Sequence, residues 1–167
     1  MSDIVVIGGG AAGMMAAVFA ARAGADVTLL EKNEKLGKKV YITGKGRCNL
    51  TNDCDRDEFL SQVPRNPRFL YSALNFFAPR DMMALLEENG CPVTVQRGKR
   101  VFPSSEKASD VTKALTACLR STGCCRCVWP ACRWKILPGI FLRQRVLIGT
   151  VCLLYFLLHF FRPVVLL

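Results

Sequence analysis

About thirty residues at the start of the chain leave few choices of fold. Asp3-Ile4-Val5-Val6-Ile7 is a short β-branched apolar run, the pattern of a strand covered on both faces in a parallel sheet. It leads directly into Gly8-Gly9-Gly10-Ala11-Ala12-Gly13. A helical pattern follows from about Ala11 to Ala23, with Met14, Val18 and Ala21 on one side and Gly24 as its stop. Asp26-Val27-Thr28-Leu29-Leu30 reads as a second strand, with Glu31 at its carboxyl end. Strand, glycine turn, helix and strand make one βαβ unit, so the expected fold class is α/β and Rossmann-like.

Each residue type in the unit answers a physical requirement. Gly8 permits the tight turn out of the strand, Gly10 lets backbone approach a pyrophosphate, and Gly13 lets the helix pack near the strand. The amides at the helix start, around Ala11 and Ala12, present N–H donors and a positive dipole end to an anion. Glu31 is placed to accept hydrogen bonds from ribose hydroxyls, and the same carboxylate repels a 2′-phosphate. An adenosine diphosphate moiety is the expected ligand. The glycine motif alone does not separate FAD from NAD.

The segment from Lys32 to Asn52 is basic, rich in glycine and studded with Asn and Thr, which suits a loop near nucleotide phosphates. GGGAAG, Glu31-Lys32, Gly37-Lys38-Lys39 and TGKGRCNLTN together resemble the bacterial FAD-dependent oxidoreductases of the aminoacetone-oxidase-like family, related to bile-acid-reductase-like flavoproteins. Lys99-Arg100-Val101-Phe102-Pro103, with Lys107-Ala108 and Asp110-Val111, is similar to that family's next recurring stretch. The resemblance covers about residues 3–120, and GRCN is its most specific element.

The resemblance implies extended FAD, with its ADP half on Gly8 to Gly13 and its ribose on Glu31 beside Lys32. It implies Lys38 and Lys39 as a basic pair beside the cofactor. Thr43, Gly44, Gly46, Arg47, Cys48 and Asn49 would line the pyrophosphate and flavin side. One departure is Lys45, where the family has a small residue, often glycine. The activity implied is that of an oxidoreductase acting on a small molecule, with NAD(P)H as a candidate electron source. No catalytic residue is assigned: the first 120 residues contain no histidine, and a flavin carries its own redox step.

A second flavoprotein reading uses Cys48 and Cys54 as a redox pair. Five residues intervene, and Asp53 and Asp55 flank Cys54 with charges that oppose a thiolate. The simpler reading makes Cys48 a small residue packing in the loop.

Beyond the loop the pattern predicts a helical cap: a turn at Asp57–Leu60, a helix from Pro67 to Phe77, and another from Pro79 to Asn89 ending at Gly90. Phe69, Leu70, Leu74 and Phe77 form an apolar stripe read as core. Val93–Gln96 and Arg100–Phe102, joined by Arg97-Gly98-Lys99, have the length of a β-hairpin. Ser109 is the expected cap of a helix running to about Thr122, with Val111, Leu115, Cys118 and Leu119 inward.

Composition divides the chain. Its 167 residues carry 23 Lys+Arg and 13 Asp+Glu, a net charge of +10, with 51% apolar residues and nine cysteines. All of the acids precede residue 111, and six cysteines lie from Cys118 onward. Residues 1–120 are +4, and residues 121–167 are +6. The division expected is an FAD-binding part over 1–122 and a Cys-rich apolar tail over 123–167. That tail reads as frameshifted near 118–124, leaving a two-stranded parallel core in an incomplete, truncated sheet. Other readings of the tail are a zinc site on Cys124 and Cys127 with Cys118 or Cys132, and a membrane anchor over 146–161 that would tether a nucleotide-binding module. No metal is the expectation. The front's +4 without a basic stripe argues against nucleic acid as partner. Met1-Ser2-Asp3-Ile4 lacks a signal-peptide pattern, so the cytoplasm is the expected location.

Overall fold

The computed structural model describes residues 3–122, 125–128 and 145–148. Strand β1 (Asp3–Ile7), helix α1 (Ala11–Arg22) and strand β2 (Asp26–Leu30) form the βαβ unit with the bounds the apolar pattern predicts. The two strands pair in parallel, with Val5 opposite Thr28 and Ile7 opposite Leu30. Helix α1 is buried on more than one side: Met14, Ala17 and Val18 have no exposed surface, and Met15, Ala16, Ala20 and Ala21 are also buried. A run of small side chains there lets neighbouring backbone approach from several directions.

The sheet differs from the expected two-stranded core. It has four parallel strands in the order β6-β2-β1-β7, where β6 is Cys125–Val128 and β7 is Arg145–Ile148. Both outer strands come from beyond residue 122. A compositional break does not report on backbone pairing: the open edges of β1 and β2 leave rows of N–H and C=O groups, and a short extended run can satisfy them whatever its side chains. Val146, Leu147 and Ile148, the first residues of the apolar run read as a candidate anchor, pair with Val5, Val6 and Ile7 of β1. The rest of that run lies outside the described residues, as do Cys124 and Cys132 of the zinc reading. Among the described residues no helix is long and apolar enough to cross a membrane.

The strand order sets where a ligand can enter. In this order the direction of winding reverses between β1 and β7, and in open parallel sheets the ligand crevice lies at the carboxyl ends of strands flanking such a reversal. The turn from Gly8 to Gly13 leaves the carboxyl end of β1.

The cap is built from α2 (Arg56–Ser61), a 3₁₀ turn over Pro67–Leu70 running into α3 (Tyr71–Phe76), and α4 (Pro79–Glu88). The single helix expected over Pro67–Phe77 is thus two short pieces. Asn66, left-handed at φ 47°, starts them, and extended Phe77 ends them. Helix α2 is longer than the expected turn because Asp55 caps it, its side chain accepting from the Glu58 N–H. The aromatic stripe is only half-buried; Phe77 meets Phe19 of α1 edge to face at 5.3 Å. Strands β4 (Val93–Gln96) and β5 (Arg100–Pro103) form the predicted hairpin, and β3 (Thr51–Asn52) pairs with β5.

Helix α5 (Ala108–Ser121) buries Val111, Leu115, Cys118 and Leu119 as the periodicity predicts, packing on α1. Its cap residue is Lys107, with no side-chain cap bond, rather than Ser109. Ser109 sits inside the first turn, where its carbonyl accepts from Thr112.

Candidate functional site

The glycine turn is held by contacts that no other residue type would allow. Gly8 has φ 102° and donates its N–H to the Leu30 carbonyl at 2.7 Å, tying the end of β1 to β2. A Cβ at Gly13 would lie 1.8 Å from the Gly8 carbonyl oxygen, so helix and turn are in backbone contact. Gly10 is different: its φ of −72° is open to any residue, and a Cβ there would meet no atom within 4 Å. Among the described residues nothing requires glycine at position 10. The space beside it, at the N-terminus of α1, is free for a group to approach the backbone. Ala11 and Ala12 open the helix there, and their N–H groups have no acceptor in a preceding turn.

Glu31 stands at the carboxyl end of β2 and reaches back to this turn. Its Oε2 accepts from the Gly9 N–H at 2.6 Å, and its Oε1 accepts from the N–H and side-chain amide of Asn33 at 2.7 and 2.6 Å. Partial burial works to raise the carboxyl pKa, but the hydrogen bonds from Asn33, Gly9 and Lys32 outweigh it and hold it below the ordinary value. The carboxylate is therefore charged and fixed in orientation next to the helix N-terminus.

The loop after Glu31 folds onto the same turn. Gly37 donates its N–H to the Gly9 carbonyl at 2.7 Å, and a Cβ on Gly9 would strike Leu36. An open cleft of about 780 Å³ follows, lined by Lys32, Asn33, Glu34, Lys35, Lys38, Tyr41 and Ile42. Lys32 and Lys38 thus border one cleft. Lys39 is exposed and begins a 3₁₀ segment over Val40–Gly46. Tyr41 is pinned through its hydroxyl, 2.9 Å from Thr112 Oγ1 on α5.

The TGKGRCN loop is held mainly by its own backbone. Thr43 Oγ1 donates to the Val40 carbonyl, while the carbonyls of Thr43 and Gly44 accept from Cys48 and Arg47. Gly44, Lys45 and Gly46 are all left-handed, at φ 55°, 57° and 86°. The departure noted at Lys45 thus falls on a backbone geometry that favours glycine. Arg47 turns to the hairpin: its guanidinium lies 4.6 Å from the centre of the Phe102 ring and 3.2 Å from Glu106 Oε1. Cys48 is buried, and burial pushes its thiol pKa up, only partly offset by the neighbouring Thr43 hydroxyl. Asn49 is exposed, with its N–H lying close to Gly44.

Cys48 and Cys54 are both free thiols. Burial, Glu58, Asp55 and Asp53 raise the Cys54 pKa against the influence of Lys99, so neither thiol is set up as a nucleophile. Among the described residues no cluster of His, Cys, Asp or Glu could hold a metal.

Sequence reasoning assigned no role to Gly9, Asn33, Leu36 or the Tyr41–Thr112 pair, and placed Gly37 only as part of the Gly37-Lys38-Lys39 motif. A usable signal existed for Asn33 alone: an Asn two residues after a carboxylate readily closes a local side-chain turn. The others depend on contacts between segments far apart in the chain.

A parallel sheet, a glycine turn at its ligand crevice and a carboxylate bonded to that turn define a Rossmann-type nucleotide-binding domain. The chain belongs to the family described as the HI0933-like protein Rossmann domain, which matches residues 2–128 and so reaches through β6. It is 37% identical over 123 residues to a 3-dehydro-bile acid delta(4,6)-reductase of Clostridium scindens, covering 72% of this chain and 29% of that protein. It is 40% identical over 89 residues to a ribosomal RNA dihydrouridine synthase of Escherichia coli, covering 53% and 22%. The chain therefore spans less than a third of the length of these relatives. Among solved structures it is similar to Thermovibrio ammonificans THI4, with a TM-score of 0.49 and 14% identity, covering 76% of this chain and 38% of that one.

Proposed function

We propose that this chain is the nucleotide-binding part of an FAD-dependent oxidoreductase, holding the ADP half of the cofactor at the turn from Gly8 to Gly13. The observation that carries the reading is the hydrogen bond from the Gly9 N–H to Glu31 Oε2 at 2.6 Å. It joins the acceptor suited to a ribose hydroxyl and the turn suited to a pyrophosphate into one unit.

The residues fit such a group. Gly10 leaves open space at the N-terminus of α1, the carboxylate of Glu31 is charged and held, and Lys32 and Lys38 border the adjacent cleft. Ala11 and Ala12 offer N–H donors, with Gly8 and Gly13 holding the turn. Lys39 and the loop residues Thr43, Gly44, Gly46, Arg47, Cys48 and Asn49 are assigned to the pyrophosphate and flavin side through the family resemblance. A bound flavin would supply hydride transfer; the chain's own part is to bind, orient and exclude 2′-phosphorylated ribose.

The relatives bear on substrate class in two ways. One is named as a reductase of a 3-dehydro-bile acid, which supports a small-molecule substrate; NAD(P)H as electron source rests on the family resemblance alone. The other is named as a synthase acting on ribosomal RNA, which supports a structured RNA instead. Both are readings of the whole protein. We further propose that the tail over 123–167 carries a frameshift, against which stand the family match to residue 128 and the pairing of β6 with β2; sequencing the coding DNA for an alternative frame that continues the family pattern tests this.

The binding test is direct. Purified chain is mixed with FAD, freed of unbound cofactor by gel filtration, and scanned between 350 and 500 nm for a flavin spectrum. Retained flavin together with an FAD-dependent rise in melting temperature is the expected result. A flat spectrum with no shift would sink the reading.

A further inference from the structure

We propose that Asn33 is a positioning residue that fixes the Glu31 carboxylate for an unphosphorylated ribose, and so sets specificity between adenosine nucleotides with and without a 2′-phosphate. The inference rests on the nucleotide reading above and assigns a residue to it that the glycine fingerprint does not include.

A carboxylate offers about four acceptor sites on two oxygens. In this chain Oε1 receives two donors from the same residue, the Asn33 N–H at 2.7 Å and its Nδ2 at 2.6 Å. Oε2 receives the Gly9 N–H at 2.6 Å, with the Lys32 backbone also directed at the carboxylate. Asn33 therefore saturates Oε1, and the remaining acceptor capacity lies on Oε2, the oxygen beside the glycine turn. The amide must present its NH₂ here, because an ionised carboxylate can only accept.

Rotation is the second point. The terminal torsion of a glutamate is broad and roughly two-fold, so a carboxylate held by one bond alone samples orientations. Bonds on both oxygens remove that freedom. Asn33 also lines the cleft with Lys32 and Lys38, cations that attract any phosphate arriving there. A held carboxylate is what makes a 2′-phosphate unfavourable beside a cleft that Lys32, Lys35 and Lys38 line together with Glu34.

The test is a double-mutant cycle on nucleotide binding, using 5′-ADP and 2′,5′-ADP as probes in calorimetric titrations with the full chain. The wild-type chain is expected to prefer 5′-ADP. Asn33→Ala removes the side-chain bond to Oε1 while the backbone N–H of residue 33 keeps its own, so 5′-ADP is expected to weaken about threefold to tenfold through a less fixed carboxylate. Its preference over 2′,5′-ADP should shrink with it. Asn33→Asp keeps the size and local turn but cannot donate, so it should lose as much or more. In a Glu31→Ala background, Asn33→Ala should change 5′-ADP affinity less than about twofold, because its effect passes through the carboxylate. An equal loss in both backgrounds, or full affinity in Asn33→Asp, would overturn the role of Asn33 while leaving the nucleotide reading intact. A wild-type chain that binds neither probe would overturn both.

Discussion

Two glycines in one turn, Gly13 and Gly10, should respond to the same methyl group in opposite ways. At position 13 the added Cβ would lie 1.8 Å from the Gly8 carbonyl oxygen and 3.0 Å from its carbon. Atoms at such a contact must part by more than about 1 Å before repulsion ends. The obstacle is backbone, and it is anchored: Gly8 is bonded to Leu30 at 2.7 Å, and Val6 before it has no exposed surface. Overpacking against movable side chains costs ~1–3 kcal/mol, so a rigid backbone clash takes at least the upper end. Alanine's better helix propensity returns about 1 kcal/mol inside α1. The net loss for Gly13→Ala is then about 2 kcal/mol or more, a fall of roughly 4–8 °C in melting temperature at this chain length. Gly10→Ala meets nothing and strains nothing, so its stability should stay within about 0.5 kcal/mol of wild type. Its cost should appear instead as about a tenfold loss in ADP affinity, from a methyl in the space the phosphates need. Circular dichroism melts and calorimetric titration of both variants check the pair. If the two melt alike, the close contact between α1 and the turn is not what the glycine at 13 serves.

Lys45→Gly should raise the melting temperature, because a left-handed lysine at φ 57° costs ~1–2 kcal/mol that glycine avoids, less the extra freedom glycine brings to the unfolded chain; differential scanning calorimetry reads the change, and a lower melting point would count against strain in the loop. Glu31 has a folded pKa below its ordinary 4.5, so its stabilisation is present above that value and is lost as pH falls through the folded pKa. The stability gap between wild type and Glu31→Gln, from urea melts, should therefore be constant near neutrality and close in acid. A gap that widened in acid would contradict the hydrogen bonds assigned to the carboxylate. Cys48 and Cys91, both buried and with thiol pKa values pushed up chiefly by burial, should resist iodoacetamide in the folded chain and react in urea, as mass mapping of the labelled peptides would read.

Local chemistry accounts for what could be read from the chain alone. β1, α1 and β2 are encoded within neighbouring residues: an apolar run, a glycine turn, a helical run of alanines and a second apolar run. Their bounds followed directly, as did the hairpin around Gly98 and the buried face of α5. Two boundaries departed from the pattern: Asp55 lengthened α2 by capping it through the Glu58 N–H, and α5 began at Ala108, after Lys107 and without a side-chain cap, so Ser109 fell inside its first turn.

By itself the sequence determined a Rossmann-type βαβ unit and the acid at the carboxyl end of its second strand, because turn geometry and strand burial are short-range demands that particular residues meet. Tertiary structure decided the rest. It set the four-stranded order that puts a crevice at β1, since sheet edges recruit backbone without regard to composition. It also bonded Glu31 to Gly9 and Asn33, turned Arg47 toward Phe102 and Glu106, and gathered Lys32, Lys38 and Tyr41 around one cleft. Those placements depend on how the loop after β2 packs on the turn before α1 and on α5, contacts whose partners no local pattern names.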